Sequence, residues 1–221
     1  MIQEYLRVPA STLIEAANQT IYMVAVSLVA GAILGMLIAI ILVLTRERGP
    51  LENKWVFNIL GAIVNIVRSI PFIIFIVAVM PLTKFIVGTR IGTTAAIIPL
   101  VLHVAPYLAR LFESSLLEVQ GGIIEAAQSM GATTWQIIRY FLLPEAMPSL
   151  MLAITTGTIG LLGSTAMAGA IGAGGVGNLA LTYGYERLNM PLMAVTVIIL
   201  IILVQIIQSL GNYLSQRFRH V

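Results

Sequence analysis

Thr20-Ile-Tyr-Met-Val-Ala-Val-Ser-Leu-Val-Ala-Gly-Ala-Ile-Leu-Gly-Met-Leu-Ile-Ala-Ile-Ile-Leu-Val-Leu44 carries no charge, and no charged residue occurs anywhere between Glu15 and Arg46. As a helix, the stretch extends about 37 Å, enough to cross the hydrocarbon core of a bilayer with some tilt. A cleaved leader would have a basic start and a short apolar core. Here Glu4, Arg7 and Glu15 precede a much longer run, so the segment reads as retained.

The rest of the chain continues the pattern. Of 221 residues, 59% are apolar and 10% charged, too little charge to coat a soluble surface. A second crossing is expected over roughly Trp55 to Val79, with Arg68 in its middle, and a third over roughly Ile91 to Leu111, with His103 and Pro106. Between Ala146 and Tyr185 lie 40 uncharged residues, too many for one ordinary crossing. Helix four is expected to about Ala166, followed by an irregular packed or re-entrant segment. Helix five runs from about Met190 to Leu210. The reading is an all-α integral membrane protein with five transmembrane helices.

Lys and Arg exceed Asp and Glu by 12 to 9, and the scattered basic residues form no nucleic-acid stripe. Without cysteine, disulfides and thiolate metal sites are excluded. His103 and His220 lack a local metal-binding pattern, and no cofactor or metal is expected. If the first loop, the loop from Arg110 to Pro144 and the tail are cytoplasmic, that side holds Arg46, Arg48, Lys54, Arg110, Arg139, Arg217 and Arg219. The other side holds Arg7, Lys84, Arg90 and Arg187. This split places the N-terminus outside and the C-terminus in the cytoplasm.

Several residues interrupt the apolar pattern. Gly31 and Gly35 form a G-x-x-x-G pair that permits close helix approach. Pro71 lacks an amide hydrogen and should bend or break helix two. Three uses compete for Arg68, three residues earlier: a water-lined pathway, a bond to carbonyls released by the proline, or snorkelling to headgroups. For His103 the choice is between packing and a proton relay.

The stretch from Glu113 to Pro144 reads as helix, turn, helix. Ala126 and Ala127 would present a shallow helix face, and Gly131 can end that helix with positive φ. Thr133 and Gln136 have capping-box spacing, opening the following helix, and Pro144 limits its continuation. Composition alone does not choose between capping the bundle and docking on a partner.

The motif is more specific. Glu125-Ala-Ala-Gln-Ser-Met-Gly131, nine residues, then Phe141-Leu-Leu-Pro144 resembles the EAA loop of binding-protein-dependent ABC importer permeases, with Phe141 where isoleucine is usual. Ala62-Ile-Val-Asn-Ile-Val-Arg-Ser-Ile-Pro-Phe-Ile-Ile, Ile98-Pro-Leu and Ser164-Thr-Ala-Met-Ala-Gly-Ala-Ile-Gly-Ala-Gly-Gly-Val-Gly are similar to the methionine-importer permeases over nearly the full chain. The resemblance implies a single permease domain (1–221) of the type I ABC importer architecture, in the inner membrane of a bacterium. Within it, residues 113–144 would form the cytoplasmic coupling loop. Glu125, Ala126, Ala127 and Gly131 would dock in a cleft of the ATPase. The implied partners are a second copy of the chain, two ATP-binding cassette ATPase subunits, an extracytoplasmic substrate-binding lipoprotein, membrane lipid, and methionine or another small amino acid.

Gly172-Ala-Gly-Gly-Val-Gly177 satisfies G-x-G-x-x-G but lacks a preceding strand and an acidic ribose partner. There is also no G-x-x-x-x-G-K-[ST] to cradle ATP, so the chain is expected to be a transport subunit and not an enzyme. By resemblance the glycine-rich segment lies near the dimer axis, with Met167 a narrow point or gate; structural packing is the alternative for Met167. Alternating access is the expected mechanism. A gradient-driven secondary transporter, which would normally show internal repeats and broken helices, and a non-transporting scaffold are the competing classes.

Overall fold

A computed structural model describes residues 8–47 and 49–219. Glu4, Arg7, Arg48 and His220 lie outside the described residues. The elements in chain order are α1 (Ala10–Thr45), α2 (Lys54–Ser69), α3 (Phe72–Val87), α4 (Thr93–Leu117), α5 (Gly121–Ser129) and α6 (Thr134–Gly169). They continue with α7 (Gly175–Asn178, prolonged by a wide turn over Leu179–Tyr185) and α8 (Met190–Arg219). Among the described residues there is no strand.

By length and composition α1, α4, α6 and α8 can each cross a membrane, and α2 with α3 makes a fifth crossing if the pair counts as one span. The α2–α3 pair bends by 110° at its break. Pro71 accounts for the break: its ring fixes φ and disfavours helical geometry at Ile70, while it cannot donate into the helix before it. Its carbonyl instead accepts from the amides of Ile74 and Phe75, both at 3.0 Å, opening α3. Counted as one span, the pair runs to Val87, past the expected end at Val79. Large apolar side chains remain exposed along α1 (Ile21, Val29, Ile33, Leu37) and α8 (Ile198, Ile201, Ile202, Ile206), as lipid-facing surfaces require.

The chain divides into two compact units. One comprises Met1–Gly31, Ile70–Val104 and Thr158–Ile207; its buried residues include Met23, Leu100, Leu161, Val176 and Leu192. His103 packs here against Phe72 and Phe75, with ring centroids 4.9 and 5.7 Å away. The other comprises Ala32–Ser69, Ala105–Gly157 and Gln208–Val221, built on Leu42, Val64, Leu108, Phe112, Leu116 and Leu150. In this unit Gly35 lets α1 approach α4 closely, since a Cβ there would lie 2.9 Å from the Ala105 carbonyl oxygen.

Two expectations about the connecting stretch change. Glu113 to Leu117 completes α4 and is not loop, and Arg110 lies inside that helix. Pro144 does not end the second helix: α6 runs helically through Pro144 and Pro148 to Gly169. The reason is the widened turn at Ile137–Leu142, where the amide of Leu143 bonds back to the Ile138 carbonyl. Hydrogen bonding shifted to i→i+5 makes room for a residue that has no amide to donate.

Candidate functional site

α5 is amphipathic on a small scale. Ile123 and Ile124 are half-buried and Ala127 is 0% exposed, whereas Glu125, Ala126, Gln128 and Ser129 face outward. A helical step of about 100° separates Ala126 from Ala127, and here it puts them on different faces. Ala127 thus seats α5 on its own protein, and of the motif's Glu-Ala-Ala only Glu125 and Ala126 lie on the exposed surface.

The helix then stops in three residues. The amides of Met130, Gly131 and Ala132 bond to the carbonyls of Ala126, Gln128 and Ala127 at 3.0, 2.9 and 3.0 Å. Gly131 adopts φ +79°, with open space where a side chain would start. Thr133 and Gln136 form the reciprocal cap: the Thr133 amide donates to Gln136 Oε1 at 2.8 Å, and the Gln136 amide donates to Thr133 Oγ1 at 3.4 Å. Ile137 and Ile138 anchor the start of α6, while Met130, Trp135 and Tyr140 are exposed. Met130, Gly131, Ala132, Gln136, Tyr140 and Phe141 border a depression of about 370 Å³.

The glycine-rich segment is built by close backbone approach. A Cβ on Gly177 would run into the backbone of Ala166, and one on Gly169 into Gly177 and Asn178, so the end of α6 and the start of α7 touch main chain to main chain. The turn between them is tied to neighbouring chain by the Gly92 amide on the Gly172 carbonyl at 3.0 Å and Thr93 Oγ1 on the Ala173 carbonyl at 3.1 Å. Helix α1 supplies acceptors for two of the turn's amides. Gln19 Oε1 receives the Gly175 amide at 2.7 Å and Thr20 Oγ1 receives the Val176 amide at 2.9 Å. The amides of Gly172, Ala173, Gly175 and Val176, which a phosphate-binding G-x-G-x-x-G turn would offer to its ligand, are already bonded.

Glu15 completes this arrangement by accepting from Gln19 Nε2 at 3.2 Å, which leaves the Gln19 carbonyl pointing at Gly175. Replacing Gln19 with Leu strands that amide, a loss of about 1–3 kcal/mol for a group cut off from water. The expected result is a lowered unfolding temperature in detergent. Met167, on the last turns of α6, is 50% exposed on the protomer.

Arg110 takes a position different from that expected, whereas Arg68 stands near the middle of the second crossing, just before the Pro71 break. Arg68 lies in the last turn of α2, its guanidinium carbon 5.9 Å from the centroid of the Tyr107 ring; its contact is aromatic, with its charge at the negative end of the helix dipole. Arg110, expected as a loop cation, instead forms an ion pair with Glu113 at 2.6 Å, the two side chains only 22% and 10% exposed. The i,i+3 spacing of opposite charges at the end of an apolar run is the signal that marks it.

Over residues 31–220 the sequence matches the family described as the binding-protein-dependent transport system inner membrane component. The chain is 50% identical over 219 residues to the probable D-methionine transport system permease protein MetI of Vibrio cholerae, covering 99% of this chain and 97% of that one. It is 48% identical over 175 residues, 79% of each chain, to the methionine import system permease protein MetP of Bacillus subtilis. Among solved structures, a chain of the MetNI methionine ABC transporter in an inward-facing conformation superposes with a TM-score of 0.93 at 42% identity, covering 95% of this chain and 97% of that one. A chain of an amino acid ABC transporter superposes with a TM-score of 0.77 at 18% identity, 94% of each chain covered, a likeness of fold alone. A membrane-spanning helical chain with this match over most of its length belongs to the binding-protein-dependent transport system inner membrane component family.

Proposed function

We propose that this chain is the permease subunit of an ATP-driven methionine importer. Two copies enclose the pathway, two separate ATPase subunits bind the face carrying α5, and an extracytoplasmic binding lipoprotein delivers the amino acid. The observation that carries the reading is α5 itself, a short helix seated by Ala127 and ended at Gly131, which holds Glu125 and Ala126 outward on a body of apolar helices. A helix held at both ends passes on a push from its partner as a rigid-body shift, because packed elements move as units. The relatives named for methionine transport supply the substrate class, and the ABC transporter structure supplies the ATPase partners.

In this reading α5 and the C-terminus face the cytoplasm, where ATP is, and the five crossings put the N-terminus outside. Residues 113–144 act as the coupling stretch of a single permease domain. The exposed Met167 lines the pathway near the partner copy, and Arg68, exposed on this chain and set against Tyr107, faces water or protein and not lipid. The chain itself makes and breaks no bonds.

Proteoliposomes holding the chain, its ATPase and its binding protein test this. The expected result is uptake of labelled methionine that requires ATP and the binding protein, with unlabelled methionine competing better than other amino acids. Equal uptake without ATP, driven by an ion gradient, would overturn it.

A further inference from the structure

Arg110 stands on the part of α4 that leads into α5, and three of its contacts cross or neutralise that position. Nη1 pairs with Glu113 Oε2 at 2.6 Å on the same helix. Nη2 donates across to α2, to the Gly61 carbonyl and to Asn65 Oδ1, each at 3.1 Å. Gly61 leaves room for this approach, since a Cβ there would lie 3.2 Å from Nη2. One turn along, Arg68 of α2 meets Tyr107 of α4. Positions rise along α2 as they fall along α4, so the two helices are joined antiparallel by two successive rungs.

Polar ties continue around the base of α5. Ser149 of α6 donates to Glu118, directly after α4, and Ser215 of α8 donates to the Pro148 carbonyl at 2.9 Å. Of these contacts, only the Arg110 rung places a charged pair in a largely enclosed setting. Such a pair adds little net stability over apolar packing, while it fixes partners and register. Arg110 Nε is also buried with no hydrogen-bond partner, an unusual state for a donor in a settled structural contact.

We propose that Arg110 is a positioning residue of the transport cycle, locking α2 to the end of α4 so that a displacement of α5 is carried to α2. The proposal rests on the reading of α5 as the ATPase-docking helix. It assigns to Arg110 the transmission of movement, with no contact to the solute or to ATP.

The test is the number of solute molecules moved per ATP hydrolysed, measured in reconstituted complex. Arg110→Gln with Glu113→Gln removes both charges together, so neither is left buried alone. This double variant is expected to retain ATPase association and hydrolysis while the transport-to-hydrolysis ratio falls about tenfold. Asn65→Leu leaves the ion pair intact and removes one acceptor on α2; it is expected to lower the ratio about threefold. Arg110→Lys, reaching fewer acceptors than a guanidinium, should fall between Asn65→Leu and the double variant. A ratio unchanged in an assembled double variant would overturn the proposal. Should that variant fail to assemble, Asn65→Leu decides, and an unchanged ratio there overturns it equally. In either case the unmodified complex stays ATP-driven; uptake independent of ATP in the unmodified complex would instead remove the reading of α5 on which the proposal stands.

Discussion

Gly177→Ala is expected to collapse the glycine-rich segment and with it the stability of the protein. The position has no room for even one carbon, because the backbone of Ala166 occupies the place a Cβ would take. Inserting a methylene into a packed core costs about 1–3 kcal/mol when side chains can move aside. Here the obstacle is main chain, so α6 and α7 must part, and the hydrogen bonds from Gly175 and Val176 to Gln19 and Thr20 are stretched with them. We expect a cost of about 3 kcal/mol or more, at the top of that range. Size-exclusion chromatography after stepwise heating in detergent checks it: the variant should lose its monodisperse peak well below the temperature tolerated by the unmodified protein. An unchanged profile would show that the two backbones are not in contact.

Gly131→Asp is expected to act in the opposite way, sparing the fold and removing the partner. Gly131 is left-handed at φ +79°, and a Cβ added there would meet nothing within 4 Å. Aspartate tolerates that conformation better than most residues, so the strain is about 1 kcal/mol, at the low end of the left-handed penalty. The new side chain nevertheless adds bulk and charge beside Met130 and the exposed end of α5, on the surface proposed to enter a groove. Membrane insertion and thermal stability should stay near those of the unmodified chain, while co-purification with the ATPase and ATP-driven uptake fall by about tenfold or more, as for loss of a central contact worth about 1.4 kcal/mol or more. Normal association and normal uptake in this variant would exclude Gly131 from the docking surface.

Much of the body was legible because apolar length needs no context. The run from Thr20 to Leu44 and that from Met190 onward mark α1 and α8, which leave long apolar faces exposed. Pro71 marked the break in the second crossing through a local rule about amides, although its 110° size depends on packing that a sequence does not display. Gly131 and the Thr133–Gln136 cap were equally local and equally readable.

What sequence did not disclose depended on neighbours. Ala127 looks like Ala126 in composition, and the structure buries Ala127 on the side of the half-buried Ile123 and Ile124. Pro144 reads as a stop until the widened turn before it removes the need for its amide. Arg110 and Glu113 carry an i,i+3 pairing signal once they are read as helical, whereas their enclosure and the reach of Arg110 to Gly61 and Asn65 exist only in three dimensions. Gln19 and Thr20 sit in an unremarkable polar turn of α1, and their partners are 156 residues away.

The claim that α5 is the handle by which an ATPase moves this protein is tested most directly at Ala126. The chain contains no cysteine, so Ala126→Cys introduces a single thiol on the exposed face of α5. Its labelling by a membrane-impermeant maleimide is measured in detergent, with and without the ATPase subunits. The expected result is rapid labelling of the isolated chain and strong protection in the assembled complex. Equal labelling in the two states, with uptake intact, would contradict it.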